Sequence, residues 1–372
     1  MKQSKEYNVL VNLLKERTIT EERDGMEVHL KQIPDSDHVG ELDPRVFEVL
    51  NTPEQDFPDF GQLEMKDIPF DRLREVMGWP NQDITQTGIQ TDFQTIEGEN
   101  GSIPIRIYSP KEGSNLPAIV YFHGGGFFGG SVDTVENPCK AISEKAQAVV
   151  ISVDYRLAPE NLFPAGLTDC FDVVKWVYQN AETLNVNRNQ LVVSGDSAGG
   201  NLATACALKD RDLGTKMIKL QALIYPVVDL AHTENEVYEW SLSKYEINNH
   251  QDLILRGLKQ MRGSSDFLLQ VYLGGQTDSV HPYASPLFAD DLSGLPETLI
   301  VTAEYDALRL EAEAYAKKLK RFDVKTKLIQ YNGMDHAFFD KIGQYPQAED
   351  CVDEIVKAMR SLFQTGEVVL AD

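Results

Sequence analysis

The chain has 372 residues, more than one small core needs and enough for a large α/β domain carrying extra helices or a lid. Hydrophobic residues make up 42% and charged residues 25%, a balance that excludes intrinsic disorder. Its 35 Lys and Arg against 58 Asp and Glu leave a net charge of −23, so nucleic-acid backbones and anionic membrane surfaces would repel it, and small neutral or cationic substrates suit it better.

Residues 1–92 read as an N-terminal helical cap region. Met1-Lys2-Gln3-Ser4 leads into no signal-peptide h-region, and Tyr7, Leu10, Val11 and Leu14 then fall on one helical stripe. Asp43-Pro44 reads as an N-cap followed by proline at the first helical position. Phe70, Leu73 and Met77 mark a third helical face, closed by Gly78. This segment holds 10 Lys and Arg against 20 Asp and Glu, nearly half the net charge in a quarter of the chain. If that acidic surface borders an entrance, anionic substrates are disfavoured and rates depend on salt.

Residues 93–372 read as a second domain, of α/β class. The period-two alternation at 103–108 suggests an antiparallel hairpin at a sheet edge. The runs 118–122, 148–153, 191–193, 222–225 and 298–302 are short and almost continuously apolar, as strands buried on both faces of a parallel sheet must be. Helices are expected at 169–180 and 310–321. Residues 232–275 carry no strand-like run and interrupt the alternation, which suggests a second cap segment; Tyr238, Trp240 and Tyr245 are its aromatics, available to face a substrate or to fill the lid's own core. Cys139, Cys170, Cys206 and Cys351 stand far apart without a C-x-x-C pair, as buried small hydrophobes do and as a disulfide framework or a zinc site does not. No run approaches the ~18 apolar residues of a membrane span. The expectation is a soluble cytoplasmic protein with no metal, cofactor or nucleic-acid partner.

The strongest motif is Gly195-Asp196-Ser197-Ala198-Gly199-Gly200, a G-x-S-x-G between a strand and a small-residue helix. A turn that sharp needs glycine flanks, leaves the serine hydroxyl protruding at the C-terminal sheet edge, and aims helix amides at a developing oxyanion. A second motif, His123-Gly124-Gly125-Gly126, follows the strand at 118–122 and lets backbone approach a ligand closely. No G-K-[ST] follows and no G-x-G-x-x-G is present, which argues against a phosphate loop. A serine nucleophile needs a base and an orienting acid. His336 lies in a loop after the strand-like 327–330, whereas His232 and His250 fall in the inserted segment with a solvated or lid role. Asp306, following the strand at 298–302, is preferred as the acid over Glu304; Asp335 is adjacent to His336 and badly placed to face its ring.

Together with Asp154-Tyr155-Arg156-Leu157-Ala158-Pro159-Glu160, these motifs resemble the hormone-sensitive lipase family of α/β-hydrolases over roughly residues 95–365. The resemblance implies a mostly parallel eight-stranded sheet with a lid from the N-terminal helices and the segment between strands six and seven. It implies Ser197, Asp306 and His336 as the triad and an oxyanion hole from the amides of Gly125, Gly126 and Ala198, with Gly124 as a further candidate. It also implies cis bonds at Ala158-Pro159 and Phe163-Pro164, and an edge strand near 325–331 that could pair two chains into a homodimer. Two departures are local: Asp306-Ala307-Leu308-Arg309-Leu310 lacks the usual proline and final aspartate, and Ala337 stands where glycine usually follows the base. The expected activity is hydrolysis of small-molecule carboxylic esters with short to medium acyl chains. The alternatives are amide cleavage on the same triad, as a peptidase or deacylase, and a non-catalytic small-molecule receptor.

Overall fold

The computed structural model describes residues 5–52, 68–232 and 238–363. Residues 1–4, where the chain was read for a leader, and 53–67 and 233–237, within the two expected cap segments, lie outside the described residues.

Alternating strands and helices build a ten-stranded sheet among the described residues, which begins with β1 (Thr18–Arg23) and β2 (Met26–Lys31) and runs in the order β1-β2-β10-β9-β8-β7-β5-β6-β4-β3. Eight strands follow residue 88: β3 (Ile89–Gly98), β4 (Gly101–Pro110), β5 (Leu116–Phe122), β6 (Val149–Val153), β7 (Val186–Asp196), β8 (Ile218–Ile224), β9 (Glu297–Tyr305) and β10 (Thr326–Asp335). From β6 to β10 neighbouring strands are parallel, while β4 runs antiparallel to both β3 and β6. The apolar runs are continuous because both faces are covered. In β5, Ala118, Val120 and Phe122 join one core cluster with α5 (Ala165–Gln179), α6 (Ala198–Asp212) and α9 (Arg309–Arg321). Ile119 and Tyr121 join the opposite cluster with α4 (Glu136–Ala146) and α10 (Pro346–Phe363). All four cysteines are buried and unpaired within these two cores.

The N-terminal segment is only partly helical, which corrects the reading of it as a helical cap. After α1 (Lys5–Glu16) come β1 (Thr18–Arg23) and β2 (Met26–Lys31), and these two raise the sheet from the expected eight strands to ten. They form an antiparallel hairpin closed by Asp24-Gly25, both at positive φ (49° and 78°), the chemistry a two-residue turn demands. Met26, Val28 and Leu30 are buried, and β2 pairs in parallel with β10 from Val28 opposite Leu328 to Lys31 opposite Tyr331. The edge at 325–331, expected to pair two chains, is therefore already occupied by the chain's own hairpin. The helices α2 (Pro44–Leu50), capped by the Asp43 side chain on the Arg45 amide at 2.9 Å, and α3 (Phe70–Val76) stand where the sequence put them. Between β8 and β9 lie α7 (Gln251–Gly263) and α8 (Ser265–Leu273). The Ala158-Pro159 and Phe163-Pro164 bonds are both cis.

Candidate active site

Ser197 sits between β7 and α6 at φ 55° and ψ −117°, a backbone conformation that non-glycine residues rarely hold. The turn is tight enough to dictate its neighbours. A Cβ added at Gly199 would lie 1.9 Å from the Phe122 carbonyl oxygen, and one at Gly195 would lie 2.4 Å from the Gly199 oxygen. The Ser197 amide is anchored on the Ile224 carbonyl at 2.9 Å, and its own carbonyl accepts from Asn201 and Val227.

His336 follows β10 and brings Nε2 to 2.9 Å from Ser197 Oγ, while Nδ1 lies 2.7 Å from Asp306 Oδ2. A carboxylate can only accept, so Nδ1 carries the proton and Nε2 is left to accept from the serine. Asp306 is fully buried, and its second oxygen accepts from the Leu308 amide at 2.8 Å. Tyr245 Oη donates to the Asp306 carbonyl at 2.9 Å and Trp240 Nε1 to the Ala307 carbonyl at 3.0 Å, so two of the cap aromatics brace the acid loop. Tyr238 instead donates to Asp229 at 2.9 Å. Burial opposes charge on the His336 ring. The Asp306, Asp196 and Asp335 carboxylates together outweigh it, Asp306 most of all, and the ring's pKa stands above the ordinary imidazole value. Glu304 does not reach the ring. Its carboxylate accepts from the Gly333 amide at 2.7 Å, and burial pushes its pKa up to about 7.

The glycine loop faces the serine. Gly125 and Gly126 lie at positive φ (119° and 61°), and a Cβ at Gly125 would meet the Gly129 oxygen at 2.2 Å. Among the described residues the amides of Gly125, Gly126 and Ala198 have no protein acceptor. The Gly124 amide is different: it donates to Asp196 Oδ1 at 3.1 Å, beside Tyr121 Oη at 2.9 Å, and is not open to an oxyanion. His123 is buried with Nδ1 2.8 Å from the Gly124 carbonyl and its ring stacked on Tyr155, whose hydroxyl donates to the His123 carbonyl at 2.7 Å. Burial pushes its pKa down to about 4, so it holds the loop as a neutral ring.

A cavity of ≈ 390 Å³ opens over these groups. Met77, Gly78 and Trp79 line it from the N-terminal segment, and Met261, Phe267 and Leu268 from the segment between β8 and β9. Tyr238, Trp240 and Tyr245 do not line it. Among the described residues Asp196 and Asp340 are its acidic lining residues, and no Lys or Arg lines it. Asp196 is buried and Asp340 half-buried, desolvation raises the pKa of both carboxyls, and the buried Oδ1 of Asp340 has no hydrogen-bond partner among the described residues. Sequence reasoning missed Asp340 and the cavity role of His232. The spacing from His336 is the only trace of the first, and the second lies in an insertion whose histidines read as solvated or lid residues. Among the described residues no group of three His, Cys, Asp or Glu could hold a metal ion.

A serine on a strand-to-helix turn, at the C-terminal edge of a mostly parallel sheet and in line with a histidine and a buried acid, defines the α/β-hydrolase class. A family model for the alpha/beta hydrolase fold matches residues 119–340, and the chain belongs to that family, in its hormone-sensitive-lipase-like branch. It is 37% identical over 249 residues to an arylesterase of Saccharolobus solfataricus, covering 67% of this chain and 77% of that one. It is 34% identical over 262 residues to carboxylesterase NlhH of Mycobacterium tuberculosis, covering 69% and 78%. A solved hyperthermophilic esterase from the archaeon Pyrobaculum calidifontis superposes with a TM-score of 0.68 at 36% identity, covering 86% of this chain and 98% of that chain.

Proposed function

We propose that the chain is a serine hydrolase that cleaves small-molecule carboxylic esters of short to medium acyl chain through an acyl-enzyme. One observation carries this reading: Ser197, His336 and Asp306 form a continuous hydrogen-bonded chain at 2.9 and 2.7 Å, beside amides that have no acceptor among the described residues. In this reading Ser197 Oγ attacks the ester carbonyl as His336 Nε2 takes its proton, and Asp306 stabilises the imidazolium that results. The amides of Gly125, Gly126 and Ala198 receive the oxyanion, each donor supplying about 3–4 kcal/mol. His336 protonates the departing alcohol, and water then repeats the sequence on the acyl-enzyme.

The cavity volume of ≈ 390 Å³ lies toward the small end of the ~300–1,000 Å³ range of small-molecule sites and supports the acyl-length limit. Stoichiometric labelling by a fluorophosphonate, abolished in Ser197→Ala, tests the nucleophile. Faster turnover of a long-chain ester than of a butyryl ester would overturn the acyl-length limit, and matched ester and amide substrates test the bond cleaved. No helix among the described residues is long and apolar enough to cross a membrane, and four unpaired buried cysteines support a reducing, cytoplasmic location, which cell fractionation tests.

A further inference from the structure

His232 follows β8 and lines the cavity above Ser197, a place its position in an insertion did not suggest. Its backbone is held at φ 47° by two anchors: its amide donates to Asp229 Oδ1 at 2.9 Å, and its carbonyl accepts from Arg262 Nη2 at 3.1 Å. The other Arg262 nitrogen, Nη1, lies 2.6 Å from His232 Nδ1. A guanidinium has no acceptor, so Nδ1 must accept, and a neutral ring then carries its proton on Nε2. Burial, and after it the Arg262 charge, push the ring's pKa down to about 4, so it is neutral wherever an esterase base works. Arg262 is itself held over the Trp240 ring at 5.5 Å, which ties the arrangement to the acid loop. Among the described residues His232 Nε2 has no protein partner, and it is not one of the sealed-off polar atoms of the interior. The lining hydroxyls of Ser264, Ser265 and Thr134 differ, each donating to a main-chain carbonyl at 2.7 Å.

We infer that His232 is a specificity residue, presenting a fixed Nε2–H donor to a hydrogen-bond acceptor on the substrate away from the scissile carbonyl. The substrate class is then an ester bearing an ether, hydroxyl or second carbonyl oxygen, rather than a plain alkyl ester. This rests on the serine-esterase reading. Were that reading wrong, the wild type would turn over no ester at all, whereas an error about His232 leaves turnover intact and removes only the preference.

The test compares kcat/KM for two near-isosteric pairs: methoxyacetyl against butyryl esters of one alcohol, and 2-methoxyethyl against butyl esters of one acid. In the wild type, at least one oxygen-to-methylene ratio exceeds the ratio for alkaline hydrolysis of the same pair. His232→Leu lowers that ratio about five- to tenfold, the range of one net hydrogen bond, while both variants still hydrolyse the butyryl and butyl esters. His232→Gln, which keeps a donor, retains most of it. Wild-type ratios equal to those of alkaline hydrolysis in both series, or ratios unchanged in His232→Leu, would overturn the inference. The wild-type comparison stands even if the leucine variant does not fold.

Discussion

Replacing Asp306 by asparagine perturbs the site by a single atom, and the structure dictates which way the new side chain must face. In the native site Oδ1 accepts from the Leu308 amide at 2.8 Å and Oδ2 faces His336 Nδ1 at 2.7 Å. The Leu308 amide can only donate, so the asparagine oxygen must stay against it and the NH₂ group must face His336. Nδ1 then becomes the acceptor, the ring proton moves to Nε2, and the atom 2.9 Å from Ser197 Oγ no longer accepts a proton. Charge stabilisation of the imidazolium is lost as well. The expected result is a fall in kcat of about 10⁴, or about 5.5 kcal/mol, with KM little changed. Steady-state kinetics on a butyryl ester, with a thermal unfolding scan to confirm folding, measures it. Glu304→Gln is the matched control: its carboxylate bonds the Gly333 amide and not the ring, so activity should stay within about tenfold. A loss of less than tenfold in Asp306→Asn, or a larger loss in Glu304→Gln, would refute the assignment.

Because the His336 pKa is raised and only the neutral ring accepts a proton, kcat/KM should fall as pH drops through a value above 6.5; a midpoint below that contradicts the electrostatic reading. Lys31 Nζ, 2% exposed, bonds Asp350 at 2.8 Å and Glu354 at 2.9 Å, so Lys31→Met should destabilise the protein by about 3 kcal/mol in urea at pH 7. Despite burial, Lys31 and Lys327 hold the Glu354 pKa down to about 2; its stabilisation is present above pH 4.5 and lost as pH falls toward 2. The difference between wild type and Lys31→Met should therefore shrink on acidification, and a constant difference would contradict this. Ala337 sits at φ 61°, so Ala337→Gly should keep or raise stability by up to about 1 kcal/mol, and a loss larger than that would show the strain to be absent.

The hairpin of β1 and β2 shows where sequence reading stopped short. Its signals were present: Asp24-Gly25 between runs in which Met26, Val28 and Leu30 alternate with polar residues. They were masked by the charge of Glu21, Glu22, Arg23 and Glu27 and by the helical stripe just before them. What decides the matter is the unpaired edge of β10, a partner some three hundred residues away. The cap aromatics show the converse. Tyr238, Trp240 and Tyr245 were visible as candidates, but whether they meet a substrate or brace a loop depends on the carbonyls and carboxylate opposite them.

By itself, the sequence determined the α/β class and the buried strands, and it singled out Ser197, His336 and Asp306 as candidates. These follow from local demands: a strand covered on both faces must be apolar throughout, and a strand–serine–helix turn admits only glycine where an added Cβ would fall within 2.6 Å of another backbone. Tertiary structure alone decided that the Glu304 carboxylate is turned onto the Gly333 amide, that the Gly124 amide is taken by Asp196, and that His232 faces the cavity. Each of these is a choice of hydrogen-bond partner among residues distant in the chain. A donor's partner is fixed within a few tenths of an ångström of separation, which residue order does not encode one position at a time.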